Sequence, residues 1–173
     1  MIRQQLASLP LPDWGQLAEE AVKRLPRASS LVLSGALLML APHQRRAGLK
    51  LKVWDKRTCE GEMRLTSRWL PWRKASGTTD FALAGELAAN LVLIRNLNLL
   101  LYRFQLKELN VVSDQDAAET VNVSCTLDPQ SFSRLRIGIG EKPETSITLK
   151  SDIKNPSGAT VAQVRSVWQI QRR

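Results

Sequence analysis

From Asp80 to Phe104 the chain runs through a stretch that is apolar on most sides when wound as a helix. Glu86, Asn90, Arg95, Asn96 and Asn98 interrupt it without gathering on a single stripe. A helix of that kind has to be enclosed, either by its own fold or at a subunit interface, because any exposed side would leave apolar surface in water. The same polar residues stop Phe81–Leu101 from reading as a bilayer span. Thr78, Thr79 or Asp80 can cap its start. Leu87, Leu91 and Ile94 are the candidate contacts with a protein partner or a second copy.

What surrounds that helix reads as sheet. In Leu49–Trp54 the residues Leu49, Leu51 and Val53 alternate with Lys50, Lys52 and Trp54. In Met63–Trp69 the residues Met63, Leu65, Ser67 and Trp69 alternate with Arg64, Thr66 and Arg68. Period two places each set on one face of a strand, and the polar connection Asp55–Glu62 suits a hairpin loop. Residues 119–170 read as a meander. Val121–Leu127, Leu135–Ile139, Ile147–Ile153 and Ala162–Ile170 alternate, with turns at Asp128-Pro129, Glu141-Lys142-Pro143 and Asn155–Gly158. Residues 110–118 read as a loop. Ahead of the hairpin, residues 13–25 form an amphipathic helix that Pro26 ends, and Leu31–Ala41 is a short buried strand. The expectation is one α+β domain over residues 1–173. Its mainly antiparallel sheet (strands from 31–69, then the meander) packs against the N-terminal helix and the hydrophobic central helix over 80–104.

Charge then narrows the function. The formal net charge is +9, and residues 45–74 hold ten bases against three acids. A field this concentrated calls for an anionic partner or an acidic protein surface. One hairpin face would carry Lys50, Lys52, Trp54, Arg64 and Arg68, with Arg45, Arg46, Arg73 and Lys74 extending the track. On a nucleic acid the bases would contact phosphates and Trp54 would offer a stacking face. Trp69, Trp72 and Arg73, beside Pro71, have the composition of an interface hot spot.

Residues that carry chemistry are sparse. The one histidine, His43, sits among arginines with no orienting partner nearby. Cys59 and Cys125 lack any paired spacing and read as reduced thiols. Asp114, Asp116 and Glu119 form a polar loop without the glycine or bidentate endpoint of a calcium site. Gly138-Ile139-Gly140 is followed by Glu141-Lys142-Pro143 rather than by a helix, so the dinucleotide fingerprint fails. The nine residues Phe132–Gly140 resemble a stretch of bacterial peptidyl-tRNA hydrolases. The asparagine and histidine that this resemblance would require have no match here, so it implies no such activity.

The expectation is therefore a non-enzymatic interaction protein: a small basic subunit or adaptor of a larger assembly, with no catalytic residue, cofactor or metal. Its partner would be another protein or its own copy. The alternative is a nucleic-acid binder using the basic ribbon, and a third reading is peripheral association with an anionic membrane through 31–41. No integral membrane span is expected. The apolar run starts late, behind Glu19 and Glu20, which argues against a signal peptide and for the cytoplasm.

Overall fold

The computed structural model describes residues 48–65, 78–97, 101–113 and 120–173. In chain order these give β1 (Leu49–Trp54), β2 (Thr58–Arg64), α1 (Thr78–Asn96), β3 (Tyr102–Ser113), β4 (Thr120–Thr126), α2 (Pro129–Glu141), β5 (Glu144–Lys154) and β6 (Thr160–Arg172). The six strands form one sheet in the order β1-β2-β4-β5-β6-β3, with every neighbouring pair antiparallel. The α+β class with a mainly antiparallel sheet is thus as expected. The helix over 13–25 and the strand over 31–41 lie outside the described residues.

The sheet wraps α1. One register row runs Trp54–Cys59–Cys125–Ser151–Val164–Val111 across all six strands, with only Val111 at its far end less than fully buried. Phe81, Ala84, Leu87, Ala88, Leu91 and Val92 of α1 pack into the same core. Two side chains of that row reach the helix backbone. Ser151 Oγ donates to the Gly85 carbonyl at 2.9 Å, and Trp54 Nε1 donates to the Leu91 carbonyl at 3.0 Å. Gly85 lies so close to the sheet that a Cβ there would overlap the Val164 side chain. At the far end, Asn96 Nδ2 donates to the carbonyls of Val92 and Lys56, closing the helix against the β1–β2 turn.

Four expectations are corrected. The hairpin loop is shorter than Asp55–Glu62, because β2 already begins at Thr58. Asp55 Oδ1 accepts from the N–H groups of Arg57 and Thr58 at 2.7 and 2.6 Å, which tightens the turn to three residues. A register shift between Leu51 and Val53 then reverses the alternation, so Trp54 points into the core at 4% exposure while Val53 faces out. The central helix stops at Asn96, and Tyr102–Phe104 already belongs to β3. Tyr102, Phe104 and Leu106 alternate with Arg103 and Gln105, and this strand continues through Asn110–Ser113, which had read as loop.

The fourth correction is α2, which replaces the expected strand at Leu135–Ile139. Asp128 caps it, accepting from the Ser131 N–H at 2.9 Å, and Pro129 supplies a preset φ at the first position. Phe132, Leu135 and Ile139 then share one face against the core, while Ile137 is left outside. The Gly138 backbone comes close to β5, where an added Cβ would sit 2.6 Å from Thr145 Oγ1. The remaining strands follow the expected alternation. Ile147, Leu149, Ser151 and Ile153 of β5, and Val164, Ser166, Trp168 and Ile170 of β6, face inward.

Candidate active site

Among the described residues, the less buried positions of α1 gather mainly on one side. Residues facing the sheet are buried, and so are Ala89 and Leu93 on a flank turned away from it. Thr79, Leu83, Glu86, Asn90 and Ile94 remain half-buried or exposed. Their spacing of four, three, four and four residues makes them a single stripe along the helix. Leu83 is 38% exposed and is the most open apolar side chain of the helix. Ile94 packs at the edge of the core.

Glu86 sits at the middle of this stripe. Asp80 is the other carboxylate of α1 and lies in its first turn. Asn90, one turn beyond Glu86, is likewise half-buried on this stripe. The residue before Glu86 is Gly85, whose carbonyl is held by Ser151 and whose Cα abuts Val164. The carboxylate is therefore carried at a fixed height above β5 and β6. A half-buried carboxylate between Leu83 and Ile94, with a neutral amide alongside, is a candidate proton-handling group beside apolar side chains.

The residues expected to bind a partner are distributed differently. Lys50, Lys52 and Arg64 are exposed on the outer face of the sheet. Lys52 is engaged there by Glu62 at 3.2 Å and by Asn122 Oδ1 at 2.8 Å. Glu60 and Glu62 of β2 alternate along the same face, so the field is broken by acids. Trp54 is buried in the core and presents no stacking face. Leu87 and Leu91 are buried inside the chain's own core, and Ile94 lies on the open stripe. Arg45, Arg46, Arg68, Arg73, Lys74, Trp69 and Trp72 lie outside the described residues, as do His43, Asp114, Asp116 and Glu119.

Two surface depressions lie elsewhere among the described residues. One, of about 230 Å³, lies over the outer face between Lys52, Glu60, Asn122, Ser124 and Lys154. The other, of about 390 Å³, is a wide cleft where Glu141 and Lys142 of the α2 end meet Arg172 and Arg173. Both mix charges of opposite sign. Among the described residues no three His, Cys, Asp or Glu side chains come together to hold a metal ion. Cys59 and Cys125 face each other across β2 and β4 as free, buried thiols. Burial pushes the Cys59 thiol well above its ordinary range and that of Cys125 up to about 11. Both shifts disfavour the thiolate, the form that reacts as a nucleophile.

No protein-family profile matches the chain, and no curated protein matches it in sequence. Solved structures do match in fold. A Pseudomonas aeruginosa protein of unknown function, named a probable thioesterase, superposes with a TM-score of 0.67 at 16% identity, covering 79% of this chain and 93% of that one. A Chlorobaculum tepidum protein of unknown function gives 0.64 at 15% identity over 86% and 97%. A thioesterase from Staphylococcus aureus, carrying a glutamine-to-alanine change, gives 0.59 at 13% identity over 76% and 99%. These likenesses identify the architecture as the hotdog fold, a helix enclosed by an antiparallel sheet.

That finding corrects the expected function. The solved structures that share this fold include proteins named thioesterases, which overturns the expectation of a non-enzymatic adaptor, and nothing among them supports the basic-ribbon reading. Among the described residues no helix is long and apolar enough to cross a membrane. Sequence reasoning passed over Glu86 because it registered only as an interruption of an apolar run. The signal was there: a carboxylate in the middle of an enclosed helix, with an asparagine four residues on.

Proposed function

We propose that this chain hydrolyses acyl thioesters, with Glu86 as the group that activates water. The observation that carries the reading is the position of that carboxylate, half-buried on a stripe of α1 that is not fully enclosed. The fold shared with proteins named thioesterases supports it. Leu83 and Ile94, on either side, are suited to an acyl chain.

In this scheme the Glu86 carboxylate takes a proton from a water molecule. The oxygen of that water bonds to the thioester carbonyl carbon. The C–S bond then breaks, and the departing sulfur takes the proton back, leaving a carboxylic acid and a free thiol. Asn90 is placed to orient the water or the carbonyl by hydrogen bonding. Partial burial beside leucine and isoleucine strengthens these polar contacts relative to bulk water. Ser151 acts as a positioning residue, since it fixes the carbonyl next to Glu86. The buried thiol pair, free at directly opposed sheet positions, supports a reducing compartment such as the cytoplasm.

The test is thiol release from a panel of acyl thioesters of increasing chain length. Glu86→Gln keeps the side-chain shape and removes the base, so kcat should fall by about 10²–10⁴-fold with the fold intact. Failure to hydrolyse any member of the panel, or full activity in Glu86→Gln, overturns the reading.

A further inference from the structure

Hydrolysis as proposed leaves one strongly basic region unused. It surrounds the cleft of about 390 Å³ where the end of α2 meets the end of β6. Lys142, Arg172 and Arg173 line this cleft, and Glu141 is the one acid among its lining residues. Arg136 is exposed one turn before Gly140, on the same side of α2, so it stands over the same opening. Glu144 is turned away: it accepts from Gln171 at 2.8 Å, and strand alternation puts Gln171 and Arg172 on opposite faces of the sheet. Among the described residues no carboxylate forms an ion pair with any of these four cations. Three of them are nevertheless pinned by their backbones. The Arg172 N–H donates to the Pro143 carbonyl at 3.2 Å, the Arg173 N–H to the Leu101 carbonyl at 2.9 Å, and the Lys142 N–H to the Gly138 carbonyl at 2.9 Å. Like charges held at such stations repel one another, and an anionic partner relieves the repulsion.

The shape of the region says which kind of anion fits. A pocket for a small ligand is concave, with polar groups converging on it from protected positions. Here every charged side chain lining the cleft is exposed. Beside it Ile137 is 59% exposed, next to Arg136 on the outer side of α2. A Cβ added at Gly140 would meet nothing within 4 Å, so the surface linking Ile137 to the cleft is open. An apolar side chain within a basic rim has the build of a protein interface, in which the anchor supplies affinity and the charges steer the approach.

From this arrangement we propose that the α2 end is a docking surface for an acidic segment of another protein. Carboxylates of that segment meet Arg136, Lys142, Arg172 and Arg173, and an apolar side chain of it packs on Ile137. The occupant is a different, acidic chain, because a second copy docked through the same surface would set cations against cations. Docking does not rest on the thioesterase reading, and binding and hydrolysis are measured separately.

The probe is a labelled synthetic helical peptide with glutamates along one side and leucines beside them, titrated with the full chain by fluorescence anisotropy. Binding should weaken about tenfold or more from low to moderate salt, because exposed charges are screened. Gly140→Glu adds a carboxylate where the backbone has open space, and should raise the dissociation constant of the peptide about tenfold or more. Arg172→Glu should do the same from β6, which keeps the result independent of the folding of α2. Ile137→Ala should cost about fivefold or more even at moderate salt. Lys50→Glu, on the outer face of the sheet, should leave binding unchanged. Absence of binding at low salt overturns the proposal. So does an unchanged constant in Gly140→Glu and Arg172→Glu, or an equal loss in Lys50→Glu, either of which makes the attraction a property of the whole chain. Displacement of the peptide by tripolyphosphate together with no effect of Ile137→Ala would make the cleft a small-anion site and overturns it as well.

Discussion

α1 and α2 lie against the same sheet and are held there in opposite ways. α1 is held mainly along its length. Its interior touches most strands of the sheet, and Ser151 and Trp54 bond its backbone directly. α2 begins with a side-chain cap and a proline, and it sends one fully buried residue, Leu135, into the core. The difference teaches where stability resides. Tertiary enclosure fixes a helix of low amphipathicity, whereas a short amphipathic helix needs local punctuation.

The contrast can be broken at three points. The largest effect is expected for Gly85→Val, whose side chain would overlap Val164 in the centre of the sheet. We expect a loss of about 3 kcal/mol or more, felt by every strand, and denaturant melts followed by hydrogen exchange would report it. Leu135→Ala should cost about 2–5 kcal/mol by leaving a cavity, with fast exchange confined to α2 if the helix is a local unit. Loss of protection across the whole sheet would erase the distinction between the two helices. The smallest change is Asp128→Ala, which removes the cap. The Ser131 N–H holds the Asp128 carboxyl below its ordinary value of 3.8. Its contribution is therefore present above that value and fades as pH falls through the lowered one. Thermal melts of the variant and wild type should converge in acid and separate near neutrality.

The legible parts of the fold were those in which one pattern acted alone. The period-two runs at Leu49–Leu51, Val121–Leu127 and Ile147–Ile153 became strands with the expected inward residues. The apolar run through Leu87 and Leu91 became the enclosed helix. Where two patterns competed, the weaker-looking one won. Leu135, Ile137 and Ile139 alternate as a strand would, but Asp128-Pro129 with Ser131 three residues after the cap starts a helix. Trp54 shows a further limit. A one-residue bulge two positions away moved it from the outer face to the core, and no side-chain periodicity reveals a bulge. The same device, at Lys107, hid the full length of β3. The candidate site was obscured by charge. The basic segment drew attention to the outer face, while Glu86 counted for more because of where its helix lies.

The bonds that fasten α1 also restrict how it can move. Ser151 grips it at Gly85, Trp54 at Leu91, and Asn96 ties its last turn to Lys56. These anchors come from β5, from β1 and from the β1–β2 turn, so sliding or rolling the helix would break contacts in separate parts of the sheet at once. Glu86 rides on a stationary axle. In the proposed hydrolysis, acyl chains of different length would have to be accommodated beside the stripe while the Glu86 carboxylate stays in place.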